Sequence, residues 1–454
     1  MHPGAVLTSL LSLAVAAGVW CWSRYQMRGF DSSLIRNVSL QKSQIQQLEQ
    51  ENTALKQKLA EALEAAKPPP TPDDVANRVL TTRALAFRRV PKWTASTVEE
   101  ITKRLSARAV AGLTPEVAEA RVRAAIAMGF APAPFDYREA IASLATMKPG
   151  GFYEAETTRF YYQSEASLAR ADSREVFAGA LLPVLLSQNF GDIAPPVEPD
   201  NDDAALASQA LAFGDASFTR VRFSIADQLN ANFDRGQPPA AVASTPNAPQ
   251  FLAEMWKWSE DAGNLFVQTL HGKGELVAVN QAYRRPPQSS AEIIHPEKLY
   301  LADPPFVPVK VAFPDSNVNG TAPLLSNVAG EIGAYFLIRT YADMDYATDA
   351  TEGWAGDRYL VWPGSKEHGD HLLWRSVWMT DEDAKQFFDA MRRGVMHRYL
   401  IPWQKEYDVT PELFRVDDPH RIIRLTRTGK TVTLLSVTDS EFAKAAEAKI
   451  PPPQ

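Results

Sequence analysis

The sequence predicts an α+β fold, mostly helical, set behind an N-terminal transmembrane helix and a coiled coil. Three observations predict it. Residues Gly4–Trp22 carry no charged side chain. A heptad of apolar positions runs from Leu34 to Ala62. Beyond the prolines at 68–72, capped amphipathic stretches dominate, and alternating strand-like runs follow after about residue 350.

Composition bounds the function. The chain has 454 residues, 45% hydrophobic and 22% charged, which suffices for a sizeable core. Its net charge of −7, with no basic patch, argues against a nucleic-acid partner. Cys21 is the only cysteine, so an internal disulfide and a cysteine-rich zinc site are excluded.

The uncharged run 4–22 is 19 residues long, enough to span a hydrocarbon core of roughly 30 Å. Trp20, Trp22 and Tyr25 form an interfacial belt at one end. No small-residue cleavage site follows it, and Trp20 before Cys21 fits a lipoprotein signal poorly, so an uncleaved single-pass anchor is expected. Arg24, Arg28, Arg36 and Lys42 follow the span and no basic residue precedes it, which favours a cytoplasmic bulk.

The predicted coiled coil covers 30–66. Its d positions are Leu34, Gln41, Leu48, Leu55 and Ala62, and its a positions Val38, Ile45, Asn52 and Leu59. Asn52 at an a position finds an amide partner only in an aligned dimer, so a homodimer is expected. The prolines of 67–72 end the helix and make a stiff linker.

The globular domain is expected over 73–440, beginning with a helical subdomain at 73–148; 441–454 completes a last helix and a proline tail. Residues 73–89 read as a helix turning into a strand that ends at Val90-Pro91. Thr97-Val-Glu-Glu100 is a capping box, and Thr114-Pro115 opens a second helix. A third helix spans about 136–147. Phe152–Tyr162 reads as a hairpin, and Arg174–Phe190 as an apolar helix interrupted by Pro183. Later, Gly330-Glu331 opens a helix and Gly353-Trp354 marks a tight turn. His371–Trp378 alternates as a strand, Thr380–Asp383 caps a helix, and two strands flank Thr428-Gly-Lys430.

Several short segments, in order, resemble a bacterial family of gluzincin-like zinc metallopeptidases. Phe152–Tyr162 is similar to the family's FYD…LY hairpin. Ser187-Gln-Asn-Phe190 resembles DQxF, and Phe213-Gly-Asp-Ala216 resembles EGDA. Gly263–Leu270 is similar to GxxFVxxL. Val279–Ser290 follows VNxAYxxPPxST, and Ile293–Lys298 follows ILHPEKY. Gly330-Glu331 resembles GE, and Gly353–Tyr359 resembles GWGGDRY. The resemblance spans roughly residues 77–440 and implies a gluzincin-type domain, which in relatives lies outside the cytoplasm. It therefore places the domain extracytoplasmic, against the charge bias next to the span.

In that family two histidines at i and i+4 of one helix bind zinc and the glutamate after the first is the general base. Here Gly179 and Pro183 stand at the histidine positions and Ala180 at the base. Phe213 replaces the third ligand, the glutamate of EGDA. The resemblance thus implies a pseudoenzyme with no catalytic residue, metal or cofactor. Phe213, Leu182 and Val184 point to apolar filling of the lost site. His368 and His371 form a lone HxxH in a polar turn, read as a solvated hairpin tip.

The resemblance leaves Asn280, Tyr283, His295, Glu297 and Glu331 as cleft or binding residues, against the plainer reading that they hold loops in place. The expected function is binding of a peptide or protein, or a scaffold in the cell envelope, by an inactive metallopeptidase homologue. A structural envelope protein with a collapsed cleft and a hydrolase with a rebuilt site are the alternatives.

Overall fold

The computed structural model describes residues 70–164, 166–191, 200–230, 246–342, 344–365 and 367–452, together with Gln50, Asn52 and Thr53. The N-terminal layer follows the capping residues. Helix α1 (Pro72–Arg83) begins at Thr71, whose side chain and that of Asp74 cap each other's backbone. Strand β1 (Lys92–Ser96) starts after Pro91 rather than ending before it. Proline lacks a donor and so leads into the strand. Helices α2 (Val98–Ala109), α3 (Pro115–Met128) and α4 (Tyr137–Ala145) begin at Thr97, Thr114 and Asp136, each accepting from a first-turn N–H.

The hairpin forms as β2 (Gly151–Glu154) and β3 (Arg159–Gln163). β3 also pairs in parallel with β1, giving a three-stranded sheet in the order β1-β3-β2. Behind it lie α5 (Ala171–Phe190) and α6 (Asp202–Asn230), then α7 (Gln250–Ala282) and the short α8 (Ser290–Ile294). α7 is broken at Gly274 and Glu275, where the backbone leaves helical geometry.

The C-terminal part is a seven-stranded sheet with its helices. Its elements are β4 (Leu325–Asn327), α9 (Gly330–Tyr341), α10 (Met344–Thr351), β5 (Trp354–Ser365), β6 (Gly369–Trp378) and α11 (Asp381–Arg398). They continue with β7 (Asp408–Thr410), β8 (Leu413–Asp418), β9 (Arg421–Thr428), β10 (Thr431–Val437) and α12 (Ser440–Glu447). The sheet order is β4-β5-β6-β10-β9-β8-β7, antiparallel throughout. Hydrophobic side chains line both its faces. One packs on α9, α10 and α11 through Trp374, Trp378 and Phe387. The other packs on α12 through Trp362, Leu373 and Phe442. With both faces covered, every residue of β10 is buried, Thr431, Thr433 and Ser436 included.

Two sequence expectations are corrected. The fold is a mixture of helix and sheet built partly on this large sheet, not a mostly helical domain. It also contains no transmembrane helix: among the described residues, no helix is long and apolar enough to cross a membrane. α6 and α7 have the length, but α6 carries Asp203, Asp215, Arg220 and Asp227, and α7 carries Lys257, Glu260 and Asp261. The predicted span 4–22 lies outside the described residues. The single-pass localisation, with the extracytoplasmic placement that the resemblance suggested for its domain, is therefore not supported by the described fold. Of the predicted coiled coil, only Gln50, Asn52 and Thr53 are described, each helical and exposed.

Candidate functional site

Helices α5 and α6 run antiparallel and are clamped by charge. Arg174, fully buried, donates from Nε to Asp227 at 2.7 Å and from a guanidinium NH2 group to the Leu168 carbonyl at 2.9 Å. Arg78 of α1 reaches the same aspartate. Two turns back along α6, Arg220 pairs with Glu175 of α5 at 3.0 Å. The inner face of α5, with Phe177, Ala178, Leu181, Leu182 and Leu185, packs into a core shared with α1, β3 and Phe223.

The four positions that the resemblance assigns to the zinc ligands and base fall elsewhere. Gly179 and Ala180 are half-buried and Pro183 is exposed, alongside Val176, which is 42% exposed. They therefore share the outer face of α5, as the helical period dictates. A Cβ on Gly179 would lie 3.2 Å from Arg220 Cδ, so the arginine occupies the space beside the glycine. Arg220 also approaches Glu260 of α7 at 3.8 Å, and Glu260 pairs with Lys148 at 3.1 Å. A chain of alternating charges, Glu175, Arg220, Glu260 and Lys148, thus borders this face. Phe213 packs edge-on against Trp256 of α7 at 5.2 Å between ring centroids. Beside Gly179 lies an arginine rather than the expected apolar filling. A zinc ion is not fitted by this set, because glycine, alanine, proline and phenylalanine side chains offer no ligand atom. Among the described residues, no group of three or more His, Cys, Asp or Glu is placed to hold a metal ion.

The remaining predicted residues divide into separate clusters. Asn280 and Tyr283 turn inward toward Asp215, the acid of the Phe-Gly-Asp-Ala segment. Arg83 grips Asp215 with Nε and Nη2 at 2.8–3.1 Å, and both residues are fully buried. Arg83 also donates to Asn280 Oδ1 at 2.7 Å. The Tyr283 hydroxyl donates to Asp215 at 2.8 Å, and Thr219 adds a bond at 3.1 Å. Burial and the adjacent Asp215 carboxylate push the Tyr283 phenol well above its usual range. Its ring stacks on Phe190 at 4.3 Å.

His295 and Glu331 form another pair, Nε2 to Oε1 at 2.8 Å. Burial opposes the imidazolium, but the Glu331 carboxylate outweighs it and raises the His295 pKa. Glu297 instead pairs with Lys273 at 2.8 Å. The Glu331 pair lies near Asp203, and Asp203 and Asp215 are 12 residues apart on α6, about 18 Å of helix. The predicted cleft residues therefore do not line one groove.

Sequence reasoning missed three buried groups. Asp203 accepts from the Ser290 N–H at 3.1–3.2 Å. Burial raises its pKa to about 8, and the Asp357 and Glu331 carboxylates add to the rise. Gly330 (φ +73°) lies so close that a Cβ would fall 1.8 Å from an Asp203 oxygen. Asp357 accepts from the Ala329 and Gly330 N–H groups and from the Trp354 and Trp374 indoles, at 2.9–3.0 Å, capping α9. Arg83 had no local signal at all, whereas Asp215 lay in a segment weighed only for Phe213.

The histidines of the HxxH part company. His368 contacts His420 at 3.2 Å on the exposed hairpins, while buried His371 stacks on Phe442 and accepts from the Thr438 N–H.

Residues 321–447 match a family model described as a domain of unknown function (DUF8575). The match covers the seven-stranded sheet with α9–α12 and stops short of α5, α6 and α7. No curated protein and no solved structure matches the chain.

Proposed function

We propose that this chain is a catalytically inactive homologue of the gluzincin zinc metallopeptidases that binds a peptide or protein segment across the outer face of α5. The observation that carries this reading is the character of that face at Val176, Gly179, Ala180 and Pro183. It lacks ligand and base side chains, yet it remains accessible and is bordered by charges of both signs. Pro183 has no N–H, so the Gly179 carbonyl loses its helical donor. A carbonyl on an accessible face is an acceptor for an extended segment's backbone, and Arg220 and Glu175 supply charge selectivity beside it.

The test uses the full chain as bait for displayed random peptides, followed by titration of the selected sequences. Selected peptides should weaken at least about tenfold, or about 1.4 kcal/mol, with Arg220→Glu. Zinc-dependent hydrolysis of an unfolded protein substrate by the purified chain would overturn the reading. So would selected peptides whose affinity ignores Arg220→Glu and Val176→Asp alike.

A further inference from the structure

A cavity of about 380 Å³ lies where α2, α3 and α4 meet the first turns of α6 and α7 and the strand pair β4–β5. Its volume falls within the ~300–1,000 Å³ of small-molecule pockets. Most of its wall is apolar: Leu113, Leu144, Phe251, Leu252, Met255 and Trp256. At one region of the wall the chemistry changes, with Arg121, Asp202, Asp203 and Tyr359. It is distinct from the α5 face, since no residue of α5 lines it.

The polar region discriminates among head groups. Arg121 is held by both Asp202 oxygens, so its charge is already matched. Asp357 and Glu331 lie behind Asp203 and oppose an anion. A cationic head would have to compete with Arg121 for Asp202. Tyr359 is more than nine-tenths buried, and its hydroxyl makes no hydrogen bond among the described residues. The hydroxyl is not sealed off, since it is not among the fully buried unpaired atoms and its residue lines the cavity, so a ligand group in the cavity can reach and bond it.

We propose that this cavity binds an uncharged amphiphile, an apolar chain or ring ending in a hydroxyl or amide that pairs with Tyr359. The apolar walls hold the body, and the matched Arg121–Asp202 pair leaves no unbalanced charge for an ionic head. This site does not depend on the peptidase resemblance, since none of its residues belongs to the lost zinc positions.

The experiment is calorimetric titration of the full chain with three probes of one chain length, decanol, decanoate and decylammonium, below their aggregation limits. Decanol should bind at one site per chain, about tenfold or more tighter than either ion. Leu206→Trp, which fills the cavity from a half-buried wall position, should abolish that binding. Tyr359→Phe, which keeps the ring, should weaken decanol about tenfold. Absence of decanol binding, equal or tighter binding of either ion, or decanol binding that survives Leu206→Trp would each overturn the assignment. Loss of binding in Leu206→Trp counts only if thermal melting shows the variant folded. Tyr359→Phe gives the independent reading, and unchanged decanol affinity there refutes the head-group role.

Discussion

Removing Asp215 tests whether α1, α6 and the end of α7 are held together by one buried charge. Asp215 and Arg83 are both fully buried, and three further groups depend on them: the Thr219 and Tyr283 hydroxyls and the Asn280 amide. Asp215→Ala leaves an arginine with no counter-charge, a change that costs roughly 3–5 kcal/mol. That is a large part of the ~5–15 kcal/mol that holds a typical protein folded. At a slope of about 3 kcal/mol per molar urea, the unfolding midpoint should fall by about 1–2 M. Tryptophan fluorescence during urea titration of the full chain reads it. The double variant Arg83→Met/Asp215→Leu removes both charges together. It should cost only about 1–3 kcal/mol, mostly for the Asn280, Thr219 and Tyr283 groups left without partners. The two single losses are therefore strongly non-additive. A loss below about 1 kcal/mol for Asp215→Ala, or a double variant that loses the sum of its singles, would refute the argument.

Three other outcomes follow from the same coordinates. Gly263→Ala should lower the melting temperature, because its Cβ would fall 1.9 Å from the Ala210 carbonyl oxygen where α6 and α7 cross. The expected loss is about 1–3 kcal/mol or more, and an unchanged melt would mean the helices do not touch there. Asp203 has a raised pKa, so the folded state holds a proton that the unfolded chain releases. Stability should fall as pH rises from about 4 toward the folded value of about 8 and then level off. Asp203→Asn should flatten that fall in a series of melts. A smaller decline should remain from His295, whose stabilisation is present below its raised pKa and lost as pH rises through it. Finally, Gly179→His, Ala180→Glu, Pro183→His and Phe213→Glu combined should not recover stoichiometric zinc by elemental mass spectrometry, since Arg220 lies against position 179. One tightly held zinc per chain would show the site still preformed.

Much of the local structure was legible because it rests on short-range chemistry. Thr97, Thr114, Asp136 and Thr380 each cap the helix that the sequence placed after them. The hairpin at 152–162 and the strands flanking Gly429 follow from alternation and turn residues. What was not legible is long-range. Arg83 and Asp215 lie 132 positions apart, and no local pattern announces their pairing. Asn280 and Tyr283 were read as cleft residues because their spacing is visible, while the kink at Gly274–Glu275 and the carboxylate that draws them inward are not. The cavity is assembled from seven separate elements and leaves no motif.

On the proposed reading, the outer face of α5 is where the ligands of a metallopeptidase relative would stand, and the helix forms without them. Pro183 was expected to distort the helix, yet α5 runs unbroken from Ala171 to Phe190. The proline sits on the exposed side, where water can satisfy the Gly179 carbonyl it abandons. The side chains that hold α5, among them Phe177, Leu181 and Leu185, lie on the opposite face, and the Arg174–Asp227 clamp lies two turns away. Leu182 and Val184 seemed to fill the lost site because they are its sequence neighbours. The helical period turns each of them about 100° away, into the core. Phe213 closes against Trp256 rather than against Gly179. Pro183 is exposed, whereas Ala180 packs at the margin of the core and beside Gly150, and Gly179 lies against Arg220. On the proposed reading, the exposed part of this face at Val176 and Pro183 would meet a partner, and the Arg220 network beside it would give that contact its charge.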